Sequence, residues 1–274
     1  MGGARSGRRG VVIVVAGLAL AACSAGGSPS TSASGSASMS TPSSTSTATA
    51  TGSDQIIPST PTGPPTVQTP PKQVAPPPGI EGLLAWDTAG YPGPGTPGVG
   101  TLSHDHVDGP VRYAVTPPVG GQHAPIWMNA GVYTSPVPSE RAVHDMEHGA
   151  IWITYDAALP ADQVAALTAF VAKQSLIAES GEGAQAGQAN RYIVMSPWGG
   201  TTALPSPIVI SSWGYQLRVQ APDDPRLQTF VDTFRASQTY SPEAGSPVDG
   251  VPVQTGGRAA SNGGSVPNPE GAVS

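Results

Sequence analysis

Val143-His144-Asp145-Met146-Glu147-His148-Gly149 is the stretch around which the rest of this sequence can be organised. Residues four apart lie one above the other on a helix, so a helix over residues 140–148 directs His144 and His148 to one point. Ser139 is a candidate N-cap for this helix, and Gly149 suits the position that follows it. Two imidazoles on one helical face have the spacing of metal ligands.

The five histidines of the chain are clustered in the sequence, all between positions 104 and 148: His104, His106, His123, His144 and His148. Gly120 and Gly121 can adopt positive φ, so the chain can turn sharply just before His123. Imidazole nitrogens are good ligands for zinc and for copper. We therefore predict a zinc or copper site formed by His106, His123, His144, His148 and Glu147. Glu147 is either a ligand itself or the acceptor that orients an imidazole.

The segments around this stretch predict the secondary structure. Ile151-Trp152-Ile153-Thr154-Tyr155 is typical of a strand, and so are residues 111–115, 191–195 and 208–219. Helices are predicted over residues 161–176, which carry an apolar stripe, and from Asp223 or Asp224 to Arg235. This order predicts an α+β fold, a small mostly antiparallel sheet with helices on one face, preceded by a long disordered linker.

Composition limits the function classes. The chain has 274 residues, a net charge of −6 and a single cysteine. A nucleic-acid-binding surface would need a basic patch, so no nucleic-acid partner is expected. One cysteine excludes an internal disulfide and a zinc site made of cysteines alone. The sequence does not identify a protein partner.

The first 22 residues have the features of a signal peptide. Residues 1–10 contain three arginines and no acid, and residues 11–22 are apolar but too short to span a bilayer. Leu20-Ala21-Ala22-Cys23 matches the bacterial lipobox, so lipidation of Cys23 by chains such as palmitate is predicted. Met1-Gly2 with Ser6 also fits N-myristoylation, and Arg8-Arg9 fits a twin-arginine signal. The expected location is the outer face of the cell membrane, with the membrane as partner through Cys23.

The remaining domain limits follow from composition. Residues 23–78 are rich in Ser, Thr and Pro and predict a disordered tether, because they carry too little apolar surface to offset chain entropy. Residues 79–240 contain every Trp and Phe and predict the globular domain. Residues 241–274 predict a disordered tail.

The folded part resembles the bacterial family of domains of unknown function numbered 3105. The motifs that carry the resemblance are His106-Val107, Tyr113, Pro117-Pro118, Gly121, His123, Gly131-Val132-Tyr133, Val143-His144, Glu147-His148-Gly149 and Ser212-Trp213-Gly214. The sequence departs from the family pattern at Val119, Gly120, Gln122 and Met146. The resemblance implies a common fold and candidate site, with His104 outside the site and Met146 as an apolar filler; it implies no reaction.

Three alternatives remain open from the sequence. His144-Asp145-Met146-Glu147-His148 is also an H-x-x-E-H motif, in which Glu147 would be the general base of a zinc hydrolase and Glu179 or Glu182 the third ligand. Met128, Met146 and Met195 could serve copper, although methionines more often fill gaps in a core. The third is an envelope interaction lipoprotein without metal, in which the histidines lie apart. We expect no catalytic residues and a metal-binding module that is not an enzyme.

Overall fold

The computed structural model describes residues 61–88, 102–181 and 186–251 of the chain. Its elements are β1 Thr66–Val67, β2 Gln73–Val74, β3 Leu84–Trp86, β4 Val111–Arg112, β5 Gly131–Val132, α1 Ser139–Glu147, β6 Ile151–Tyr155, α2 Ala161–Lys173, β7 Ile177–Ala178, β8 Ala189–Asn190, β9 Ile193–Pro197, β10 Ile208–Ser212, β11 Tyr215–Val219 and α3 Arg226–Phe234. The predicted signal peptide and Cys23 lie outside the described residues. Of the helices described, none combines the length and the apolar character that a membrane crossing requires.

Most of the strands form one seven-stranded sheet in the order β2-β3-β11-β10-β6-β9-β5. β9 lies parallel to β5 and to β6, whereas β10, β11, β3 and β2 pair antiparallel. The sheet is therefore mixed, and the predicted small, mostly antiparallel sheet is wrong. The apolar run of β6 is buried along its whole length, as expected of a strand covered on both faces.

Helices cover both faces of this sheet. Ile151 and Ile153 of β6 pack in one core with side chains of α2 and α3. Trp152, which points to the opposite face, packs in a second core with Val143 of α1. The prediction that the helices lie on one face is therefore wrong.

The strand order explains this arrangement. The chain passes from β5 through α1 to β6 and then returns through α2 to β9, which lies between them. Two crossovers of the same hand that run in opposite directions along a sheet place their helices on opposite faces. α1 is consequently separated from α2 and α3 by the sheet.

Helix α1 ends in a tight hydrogen-bonded cap. Gly149 has φ +94° and donates its N–H to the carbonyl of Met146 at 3.1 Å, and Ala150 donates to Asp145 at 2.8 Å. These two bonds form a Schellman motif, which requires the left-handed conformation that glycine adopts at least cost. The predicted role of Gly149 is confirmed, whereas the N-cap residue is Pro138 and not Ser139.

The described strands and core include residues on both sides of the predicted globular domain, residues 79–240. β1 pairs with β4 and β2 with β3, although both strands lie in the predicted tether of residues 23–78. Residues 241–251 lie in the predicted tail, yet Val248 and Val251 are buried. Short segments can add to an existing sheet or core with little apolar surface of their own, which composition does not reveal. Residues 66–74 and 241–251 therefore take part in the folded structure beside residues 79–240.

Candidate metal centre

Helix α1 supplies three of the side chains at the site. His144 and His148 are one turn apart, with their Nε2 atoms 3.0 Å from each other and their ring centroids 4.5 Å apart. Glu147 lies between them in sequence and is buried. The helical spacing predicted this meeting of the two histidines.

Two extended segments supply the other histidines. The segments of His106 and His123 form an isolated parallel bridge, in which Val107 donates its N–H to the carbonyl of His123 at 2.7 Å. The ring centroids of His106 and His123 are 4.9 Å apart. The second segment is joined to α1 by a hydrogen bond from Ala124 N–H to the Glu140 carbonyl at 3.2 Å. Backbone pairing therefore fixes both loop histidines beside the helix.

Four of the predicted residues form one potential ligand set: His106, His123, His144 and Glu147. One ligand atom from each lies within 4.8 Å of all the others. Two ligands bound at about 2.0 to 2.1 Å in a tetrahedral site lie roughly 3.3 Å apart, so the ligands must draw closer around an ion. His106 is the exposed member, whereas the other three are buried. It is therefore the ligand with most freedom to move.

The buried histidines share one hydrogen-bonding pattern. Nδ1 lies 2.8 Å from the Gly121 carbonyl in His123, 2.7 Å from the Ala124 carbonyl in His144, and 2.7 Å from the Pro247 carbonyl in His148. A carbonyl oxygen can only accept, so Nδ1 must carry the proton in all three. In the neutral imidazole Nε2 then has a free lone pair, which is the arrangement that backbone carbonyls impose on metal-binding histidines.

These lone pairs face other acceptors. Nε2 of His123 is buried and lies 2.9 Å from Oε2 of Glu147, a contact that becomes an ion pair when this nitrogen is protonated. Nε2 of His144 faces Nε2 of His148 at 3.0 Å. Contacts between two acceptors are unfavourable unless a proton or a metal cation lies between them. A metal ion that takes lone pairs from His123, Glu147 and His144 would relieve both contacts.

The electrostatics of the site suit a cation. Burial would raise the pKa of the Glu147 carboxyl, but its contacts with His104 and His123 outweigh burial and hold this pKa well below its usual range. Burial lowers the pKa of His144 well below its usual value, and the neighbouring His148 and His123 lower it further. At neutral pH the site therefore offers an ionised carboxylate and a neutral imidazole, the forms that bind a metal.

His104 and His148 lie at the edge of the four-residue set. Nδ1 of His104 is 2.8 Å from Oε1 of Glu147, so His104 orients the carboxylate from outside the set. His148 is a predicted ligand that adjoins His144 but does not belong to the set. Its Nε2 lies 3.4 Å from Oε2 of Glu243.

Glu243 is the residue of this region that the sequence did not predict. It belongs to the C-terminal segment, residues 241–251, which crosses the end of α1. Glu243 donates its N–H to the Glu147 carbonyl at 3.0 Å, and Gly245 donates to the His148 carbonyl at 3.1 Å. The only signal in the sequence is an acidic residue in a segment rich in Gly, Pro and Ser.

Aromatic rings surround the histidines, and the methionines lie in the cores. The Trp127 centroid is 5.4 Å from that of His144, and the Trp213 centroid is 4.8 Å from that of His104. Met128 and Met146 are fully buried in the core beside α1, as predicted for Met146, and Met195 lies in the core on the other face.

The geometry does not favour the hydrolase alternative. A carboxylate whose pKa lies well below its usual range is a poor general base near neutral pH, and this describes Glu147. Glu179 is buried and accepts the Val248 N–H at 3.3 Å, and it is not part of the ligand set. Glu182 lies outside the described residues.

Comparison with known proteins identifies a family without assigning a function. The family model described as "Protein of unknown function (DUF3105)" matches residues 104–250, more than half of the chain. The chain belongs to this family. Neither the curated proteins nor the solved structures contain a match. The family region includes every residue of the four-residue set.

Proposed function

We propose that this member of the DUF3105 family binds one transition-metal ion through His106, His123, His144 and Glu147. The observation that carries the proposal is the set of three buried histidines whose Nδ1 atoms are bonded to carbonyl oxygens. This pattern leaves Nε2 as an electron-pair donor, and in His123 and His144 that atom points into the ligand set. In the neutral form these atoms need a cation between them, and a bound metal ion would supply it.

The donor set supports zinc or copper as the ion. Three imidazoles with one carboxylate are nitrogen-rich and borderline in softness, which suits zinc and copper better than calcium or magnesium. Glu147 brings one negative charge into a buried site and offsets part of the charge of a divalent ion. The ligands named include no thiolate or thioether.

A binding role without turnover follows from the number of ligands. Four protein ligands complete a tetrahedral site, whereas catalytic zinc sites keep one position for water or substrate. The low pKa of Glu147 makes it a ligand in preference to a proton acceptor. We therefore propose metal handling or metal stabilisation of the domain as the function.

The experiment is elemental analysis of the purified full chain after loading with zinc and removal of excess metal. The wild type should retain about one ion per chain, and His106→Ala, which keeps three of the four ligands, should retain markedly less after a wash with chelator. His106 is chosen because its side chain is exposed, so its removal should leave the fold intact, which circular dichroism checks. Equal zinc retention by the wild type and His106→Ala would refute the site as proposed.

The location of the protein is a second part of the proposal. The arginines and apolar run of residues 1–22 and the lipobox at Cys23 support lipid attachment at the outer face of the cell membrane. The Ser- and Thr-rich composition after Cys23 supports a tether between this anchor and the folded domain. Cys23→Ser should move the protein from the membrane fraction to the soluble fraction, and its persistence in membranes would contradict the anchor.

A further inference from the structure

His144, His148 and Glu243 bring three potential ligand atoms together beside the proposed metal set. Nε2 of His148 lies 3.0 Å from Nε2 of His144 and 3.4 Å from Oε2 of Glu243. Both separations are close to the roughly 3.3 Å between ligands of a tetrahedral site with bonds of about 2.0 to 2.1 Å. Two imidazoles and a carboxylate that draw together around a divalent transition-metal ion can hold it weakly, with remaining positions open.

His144 belongs to both groups of ligands. Its Nδ1 is engaged by the Ala124 carbonyl, so Nε2 carries its one available lone pair. One lone pair can bind one ion at a time. We call the group of His144, His148 and Glu243 the outer position and the four-residue set the inner position. The two positions must therefore compete for His144.

The two positions differ in exposure. The side chain of Glu243 is 56% exposed, whereas that of Glu147 in the inner position is 3% exposed. Glu243 also interacts electrostatically with Glu147, His148 and His106, which places its charge near the exposed ligand of the inner position. An exposed carboxylate beside a buried site attracts cations and raises their local concentration.

We propose that the outer position captures the metal ion from solvent and passes it to the inner position, with His144 as the shared ligand. This inference rests on the proposed function of the inner position. Transfer requires no oxidation or reduction. The ion exchanges Glu243 and His148 for His106, His123 and Glu147 and keeps its bond to His144. The outer position is thus a route for uptake and release.

The test is stopped-flow measurement of cobalt(II) uptake by the metal-free full chain, with release followed by a chelator chase. Glu243→Gln should lower the association and dissociation rate constants by the same factor, on the order of tenfold, because it removes a ligand of the intermediate through which the ion both enters and leaves. The Kd should stay within about twofold, since neither end state contains Glu243. His148→Gln should change the rates in the same way.

Glu81→Gln is the matched control, because Glu81 is also an exposed glutamate but is not part of either position. It should leave both rate constants unchanged. Unchanged rate constants in Glu243→Gln would overturn the proposed route. A higher Kd with faster release would also overturn it, because Glu243 would then be a ligand of the final state. If His106→Ala binds cobalt with the affinity of the wild type, the inner position is refuted. If His106→Ala binds cobalt more weakly but Glu243→Gln leaves the rate constants unchanged, only the route is refuted.

Discussion

His104 acts on the proposed metal ion through Glu147. Its Nδ1 holds one carboxylate oxygen at 2.8 Å, while the other oxygen lies 2.9 Å from His123. The two contacts fix the orientation of the carboxylate before an ion binds. Outer partners of this kind are known to affect affinity strongly without being ligands themselves.

Replacement of His104 should therefore weaken binding but not abolish it. His104→Ala is expected to raise the Kd for zinc by about 10- to 100-fold while the chain still binds one ion at saturation. Competition with a chromogenic chelator measures both quantities. Loss of the ion at saturation would make His104 a ligand, and an unchanged Kd would show that the contact with Glu147 is unimportant.

Glu179 predicts the pH dependence of stability. The pKa of its carboxyl is raised to about 7, mainly by burial; the hydrogen bond from the Val248 N–H opposes the shift and the nearby Asp249 adds to it. Between the unfolded pKa and this value the folded state holds a proton that the unfolded state has lost, so stability falls as pH rises from about 4.5 to about 7. Glu179→Gln removes this titration and should flatten the curve over that range.

Urea unfolding of the metal-free protein at several pH values measures the effect. The difference in unfolding free energy between Glu179→Gln and the wild type should grow in favour of the variant as pH rises, and Glu81→Gln should show no such trend. A variant whose pH profile is parallel to that of the wild type would contradict the assignment.

At the scale of single residues the sequence predicted part of the site. The spacing of His144 and His148 correctly indicated that they meet, because helical geometry is local. It could not show that His148 faces Glu243, 95 positions away, because that contact depends on how residues 241–251 fold back over α1. The sequence also could not show that Nδ1 of His144 and of His148 is bonded to a carbonyl group, because those carbonyl groups belong to other segments.

At the scale of elements, the segment of residues 241–251 holds the end of the helix that carries the candidate metal site. It accepts the Nδ1–H of His148 through the Pro247 carbonyl and donates to the last carbonyls of α1 from Glu243 and Gly245. Farther along, the Trp127 indole donates to the Asp249 carbonyl at 3.1 Å. The end of α1 is therefore held by residues that the sequence analysis assigned to a tail.

Two truncated chains distinguish the role of residues 241–251 from that of the residues that follow them. A chain that ends at Val251 should bind zinc like the full chain, whereas one that ends at Tyr240 should bind more weakly and unfold at lower denaturant. The second truncation removes the partners of His148 and exposes apolar surface around Val248. Zinc titration and urea unfolding of both truncated proteins test this, and equal behaviour of the two would contradict a role for the segment.

The elements themselves were predicted with uneven success. The buried run of β6 and the apolar stripe of α2 are local patterns and gave correct strand and helix assignments. Residues 208–219 form the β10–β11 hairpin, with Gly214 at φ +77° in its turn, where the sequence suggested one interrupted strand. The strands β1 and β2 have two residues each and exist only through their partners, so they carry no periodicity to read.

At the scale of the whole molecule, the metal centre depends on the fold only through α1 and what packs around it. The return of the chain from β6 to β9 places α1 on the opposite face of the sheet from α2 and α3. The segment of His123 and residues 241–251 are hydrogen-bonded to α1. Sheet order depends on pairing between distant segments, which is why the sequence predicted the helices but not the face that each would occupy.

The most direct measurement of the central claim is the anomalous diffraction of a crystal of the protein loaded with zinc, collected on both sides of the zinc absorption edge. We predict one strong peak that depends on the edge and marks one zinc ion. Its ligands should be Nε2 of His123, Nε2 of His144, a Glu147 oxygen and His106, at about 2.0 to 2.2 Å. A peak at other residues, or no peak while these four side chains remain ordered in the arrangement described, would contradict it.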